Sequence, residues 1–216
     1  MELLEKAITS NTKGIIINSP NNPSGVVCSE KTLNNLADLL KKKSKEYQKP
    51  LYLISDEPYR EIVYDDIHIP YVPAYYENTI ICYSYSKSLS LPGERIGYIL
   101  VPDCVASAKD IYTAVCGAGR SIGYVCAPSM FQKIVLKCLG KTSDIALYDT
   151  NRKLLYDGLS KMGYQCVKPD GAFYLFVKSL EENAVSFSEN AKKFNLLIVP
   201  ADNPVEAYRR CVKEFM

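Results

Sequence analysis

Thr79-Ile80-Ile81-Cys82-Tyr83-Ser84-Tyr85-Ser86-Lys87, continuing through Leu91-Pro92-Gly93-Glu94-Arg95-Ile96-Gly97-Tyr98, is the stretch around which this 216-residue chain organises itself. The apolar run from Thr79 to Tyr83 predicts a buried strand. Beyond its end stands Lys87, with the Ser84 hydroxyl three residues before it and Arg95 eight residues after it. A lysine amine condenses with carbonyl carbons. The forked guanidinium of Arg95, with Ser84, suits a phosphate group. Arg95 is equally able to pair with Glu94 or another carboxylate, and Gly93 and Gly97 supply turn freedom or close packing around it.

Working outward, three more apolar runs read as strands: Gly14 to Asn18, Leu51 to Ile54, and Gly97 to Val101, the last closed by Pro102-Asp103. Continuous runs of this kind suit a parallel sheet covered on both faces. The segment Ser19-Pro20-Asn21-Asn22-Pro23-Ser24-Gly25 is a loop. Ser29 or its neighbour caps a helix carrying Leu33, Leu36, Ala37 and Leu40 at helical spacing. Helical pattern fills much of 103–116 and 127–139, with Gly117-Ala118-Gly119-Arg120 and Gly123 marking a loop between them. Past residue 140 the pattern changes to a long helix over 143–161, short strands over 164–167, 172–177 and 196–199, a turn at Pro169-Asp170-Gly171, and a helix over 186–194. The expected fold is α/β: a three-layer α/β/α, mostly parallel sheet over 1–142, followed by a small α+β subdomain over 143–216.

Asn22, Asp56, Tyr59 and Lys87 all fall just past predicted strand ends, the edge at which open α/β sheets bind ligands. A lysine able to hold an aldehyde, beside phosphate-binding groups, points to pyridoxal phosphate. A carboxylate such as Asp56 keeps a pyridine nitrogen protonated, which makes the ring a better electron sink. Tyr59 and Asn22 are able to donate to a phenolic oxygen. Each has a plainer reading: Asp56 as a cap, Asn22 as a turn former, Tyr59 as one of 17 tyrosines.

The bulk numbers exclude several alternatives. The net charge is +2, so neither nucleic acid nor a membrane surface is an expected partner. No apolar run approaches the length of about 20 residues that spans a bilayer. The basic run Lys41-Lys42-Lys43-Ser44-Lys45 ends a predicted helix, where it complements the helix dipole. Eight dispersed cysteines without a CxxC pair, and no evident signal peptide, read as free thiols of a cytoplasmic protein. The single histidine, His68, reads as a surface residue, so no metal site is expected.

Three strings now resemble one family: Asn18-Ser19-Pro20-Asn21-Asn22-Pro23-Ser24-Gly25, Ser55-Asp56-Glu57-Pro58-Tyr59, and Ser84 through Tyr98. In order and at plausible spacing, with Gly171-Ala172-Phe173-Tyr174 further on, they are similar to the class I/II aminotransferases of the aspartate aminotransferase type. The resemblance implies that Lys87 is the Schiff-base lysine and proton carrier, and that Asp56 faces the pyridine nitrogen. It implies that Tyr59 and Asn22 bind the ring hydroxyl and that Ser84 and Arg95 bind the phosphate. It also implies an amino acid and a 2-oxo acid as substrates, and a homodimer. A β-lyase or synthase with the same cofactor, and a truncated member without catalysis, are the alternatives. Against the family pattern, the first third and part of the C-terminal domain are absent, and Ser24 replaces the commoner threonine. After Ala201 the expected arginine strand gives way to a helical pattern over 205–216 carrying Arg209 and Arg210, neither of which takes the carboxylate-binding role.

Overall fold

The computed structural model describes residues 1–201. The helix expected over 205–216, with Arg209, Arg210 and Cys211, lies outside the described residues. Strands β1 (Gly14–Asn18), β2 (Tyr52–Asp56), β3 (Thr79–Ser84) and β4 (Gly97–Leu100) form one sheet in the order β1-β2-β3-β4. The first three run parallel, and β4 returns antiparallel beside β3. The connections explain the difference. Between β1 and β2 lies helix α2 (Glu30–Glu46), long enough for a crossover, whereas β3 is followed only by the single turn α3 (Tyr85–Ser88). Without a crossover helix, residues 85–96 favour return in the opposite direction.

The sheet's two faces differ. Ile15 and Ile17 of β1 pack with Leu51 and Leu53 against Leu33, Leu36, Ala37 and Leu40 of α2. Helix α1 (Glu2–Ala7) adds Leu4 to this core. Ser29 accepts a hydrogen bond from the Thr32 N–H at 3.2 Å, the expected cap. The basic run sits in the last turns of α2, where Lys43 pairs with Glu46 at 2.8 Å and Lys42 reaches Glu5 at 2.6 Å. On the opposite face Ile16 and Ile99 are about half-exposed.

Helix α4 spans Ala108–Ser121, so it starts later than the spacing predicts and runs through the expected Gly117–Arg120 loop. A glycine inside a helix weakens it by only about 1 kcal/mol relative to alanine. The break comes at Gly123, whose φ is +90°. Helix α5 covers Ser129–Lys137, α6 covers Ile145–Lys161 and α7 covers Ala184–Lys192. The strands expected at 164–167 and 172–177 reduce to one isolated bridge, Cys166 with Val177, and 196–199 joins no strand among the described residues. A two-stranded pairing this short has too little burial to extend. The seven described cysteines are free and His68 is exposed. Among the described residues there is no metal-binding cluster and no helix long and apolar enough to cross a membrane.

Arg152 of α6 ties the later segment to the loop after β2. Its guanidinium, 8% exposed, binds Asp65 at 2.9 and 3.0 Å, Asp149 at 2.6 Å and the Pro169 carbonyl at 3.0 Å. It also lies 4.5 Å from the centre of the Tyr64 ring. Hydrogen bonds from Arg152, then from Lys168, hold the Asp65 carboxyl at about 2. A carboxyl lowered in the folded state stabilises the fold above its unfolded value of about 3.9, and that contribution fades as pH falls toward 2. Thermal melts from pH 6 to pH 2 are expected to fall across that window in the wild type. Asp65→Asn is expected to be less stable at pH 6 and to lose less on acidification. Parallel curves for the two proteins would contradict this.

Candidate active site

The parallel register sets Asn18, Asp56 and Cys82 side by side, and Ser84 follows on the same face of β3. Successive strand residues point to opposite faces, which separates the adjacent carboxylates of Asp56 and Glu57. Glu57, 2% exposed, accepts from Ser55 Oγ at 2.7 Å and pairs with Arg60 at 2.7 Å. It is a structural group on the far face. Asp56 is half-buried, and its carboxyl is pushed up from the ordinary aspartate range, first by burial and then by the Glu57 charge. Asn18 works against that shift: its Nδ2 donates to Asp56 Oδ2 at 3.2 Å and to the Asp56 carbonyl at 3.0 Å.

Tyr59 joins Asp56 to Lys87. Its ring is 4% exposed and lies 6.0 Å from Lys87 Nζ, which is also 5.6 Å from the Phe173 ring. Among the described residues, Lys87 Nζ has no hydrogen bond and no ion pair, so this half-buried amine meets chiefly aromatic faces. The Tyr59 hydroxyl bonds that of Tyr174 at 2.7 Å. Burial, then Tyr174, then the Asp56 charge raise the Tyr59 phenol well above the ordinary tyrosine range, and the nearby Asn22 side chain opposes them. The phenol therefore stays protonated and remains a donor.

The remote pieces are docked by two glycines. The Asp170 and Gly171 N–H groups both donate to the Gly25 carbonyl at 2.9 Å, and Val27 N–H donates to Asp170 Oδ2 at 3.0 Å. A Cβ on Gly25 (φ +72°) would stand 2.5 Å from that of Pro169, and one on Gly171 would stand 2.6 Å from the Ile62 carbonyl oxygen. This close approach brings Phe173 to Lys87 and Tyr174 to Tyr59, and holds the loop bearing Asn22. The Asn22 side chain is exposed, while its backbone N–H donates to Asn18 Oδ1 at 2.6 Å.

Ser84 ends β3 opposite Gly97. A Cβ at Gly97 would lie 2.3 Å from the Tyr83 carbonyl oxygen, so only glycine allows this pairing. Ser84 Oγ bonds Ser86 Oγ at 2.6 Å. Arg95 stands two residues before Gly97, at the same end of the sheet, but its exposed guanidinium donates to the Pro92 carbonyl at 2.8 Å. It touches neither Ser84 nor Glu94 among the described residues. Of the six candidates, Asn22, Asp56, Tyr59 and Lys87 converge, Ser84 borders them, and Arg95 is turned away. Asn18, Phe173 and Tyr174 join the cluster although residue pattern alone gives them no role; all three lie inside the strings that carry the resemblance.

Comparison with known proteins identifies a family. The family described as "Aminotransferase class I and II" matches residues 1–208. A solved aminotransferase from Eubacterium rectale is 62% identical with a TM-score of 0.88, over 92% of this chain and 50% of that one. The aspartate aminotransferase of Thermotoga maritima is 31% identical with a TM-score of 0.77, over 93% and 51%. A probable N-acetyl-LL-diaminopimelate aminotransferase of Bacillus subtilis is 35% identical, over 86% of this chain and 46% of its own length. The chain thus spans about half the length of the relatives it matches. With the matched region covering nearly the whole sequence, the chain belongs to the class I and II aminotransferase family.

Proposed function

We propose that this chain serves pyridoxal-phosphate-dependent transamination between an amino acid and a 2-oxo acid. The observation that carries the reading is the Lys87 amine, without a hydrogen bond or ion pair among the described residues, set beside Tyr59 and Phe173, with Asp56 and Asn22 acting on the same Tyr59 hydroxyl. When bound, pyridoxal phosphate supplies a ring that accepts the electron pair left as the α-proton departs. Lys87 Nζ would be the attachment point for its aldehyde carbon, and afterwards the base that carries the proton. Asp56 would face the ring nitrogen and hold a proton there. Tyr59 and Asn22 would donate to the ring oxygen. Ser84 and Arg95 would hold the phosphate, for which the Arg95 guanidinium must exchange the Pro92 carbonyl for the anion, a stronger charge-assisted partner.

The proposal extends to a cytoplasmic homodimer, to residues 1–142 as the cofactor-binding part, and to 143–216 as part of a smaller domain. The test is an absorption spectrum of the purified chain with and without pyridoxal phosphate, then with a panel of amino acids and 2-oxo acids. A visible band that forms with the cofactor and bleaches with an amino acid, together with a new amino acid among the products, is expected. Release of ammonia and pyruvate instead would indicate a β-lyase, and the absence of both band and amine transfer would refute the proposal.

A further inference from the structure

The Asn18 side chain makes three hydrogen bonds at the edge of the sheet: two donated by Nδ2 to Asp56, and one accepted by Oδ1 from the Asn22 N–H. Only one amide orientation satisfies this set, because the Asp56 carbonyl and carboxylate oxygens accept and the Asn22 N–H donates. We propose that Asn18 is a positioning residue that holds the Asp56 carboxylate ionised and aimed while it fixes the Asn22 loop, so that one side chain sets both the ring-nitrogen partner and a donor to the ring oxygen. This rests on the functional reading above.

The surroundings of Asp56 oppose its ionised form. Burial and the neighbouring Glu57 carboxylate both favour its neutral form. Cys82, beside it on β3, and the Tyr59 phenol are both held protonated, first by burial. They bring no positive charge to the site. Among the described residues, Asn18 is the one side chain with a donor on Asp56. A hydrogen bond to a charged form stabilises that form.

Two variants divide the roles. Asn18→Ala removes all three bonds. Asn18→Asp keeps an acceptor for the Asn22 N–H but replaces the donor to Asp56 with a second acid. The first measurement needs no cofactor: the carboxyl carbon of Asp56 is titrated by NMR. Both variants are expected to titrate at least about one pH unit above the wild type. The second measurement adds pyridoxal phosphate labelled with nitrogen-15. Both variants are expected to bind it on the order of tenfold more weakly, with the ring-nitrogen resonance moved toward its unprotonated position. If Asn18→Ala does not fold, Asn18→Asp decides the question. Unchanged Asp56 titration in a folded variant would overturn the inference, as would wild-type affinity and ring-nitrogen shift. A wild-type chain that takes up no pyridoxal phosphate would refute the functional reading instead, and the Asp56 titration would then decide on Asn18 alone.

Discussion

Lys87→Ala is expected to abolish the visible absorption band that marks covalent attachment of pyridoxal phosphate to the chain, and to lower amine transfer by at least about 10²–10⁴-fold, the usual contribution of a positioned proton carrier. Two losses coincide in one residue. The alanine has no amine for the aldehyde carbon, and no base remains at the place where Lys87 Nζ lies, 5.6 Å from Phe173 and 6.0 Å from Tyr59. The fold should tolerate the change. Lys87 Nζ makes no hydrogen bond or ion pair among the described residues, so its removal strands no partner and disrupts no ladder. Circular dichroism and melting temperature should match the wild type, which separates loss of chemistry from loss of structure. A Lys87→Ala protein with the wild-type visible band would overturn the assignment, because among the described residues Lys87 is the lysine whose amine lies at the Tyr59 and Phe173 rings.

The second large effect is expected at Asp56. Asp56→Ala should weaken pyridoxal phosphate binding and slow removal of the α-proton by on the order of 10²–10³-fold, comparable to deleting one electrostatic partner of a developing charge. Without a carboxylate the ring nitrogen loses its counter-charge and accepts electron density less well. The measurement is single-turnover bleaching of the visible band by a substrate deuterated at the α-carbon, with a titration of cofactor affinity. Glu57→Gln is the informative neighbour. Its carboxylate is engaged with Ser55 and Arg60 on the far face, so the change should cost stability and leave the isotope effect as it is. Wild-type affinity and wild-type bleaching in Asp56→Ala would remove Asp56 from the proposed role.

Much of this is legible from residue order. The four strands, the loop bearing Asn22 and the capped helix α2 follow from apolar periodicity and turn chemistry, both local properties. The glycine pair in α4 misleads because a loop signal and a tolerated helical glycine look alike in one dimension, and only the +90° φ at Gly123 separates them. The C-terminal strands mislead because a strand is defined by its partner, and runs of apolar residues do not reveal whether one is present.

Residue order already shows the chemistry on offer at the sheet's edge: an amine, a carboxylate, a phenol and an amide, each just past a strand, in strings specific to one family. Contacts across the fold settle what residue order leaves open: that Glu57 is engaged by Ser55 and Arg60, that Phe173 comes from 86 positions away to lie 5.6 Å from Lys87 Nζ, that Tyr174 bonds Tyr59, that Asn18 hydrogen-bonds Asp56, and that Arg95 rests on Pro92. The reason is physical. Backbone preference acts between neighbours in the chain, while burial, charge and hydrogen-bond geometry act between neighbours in space.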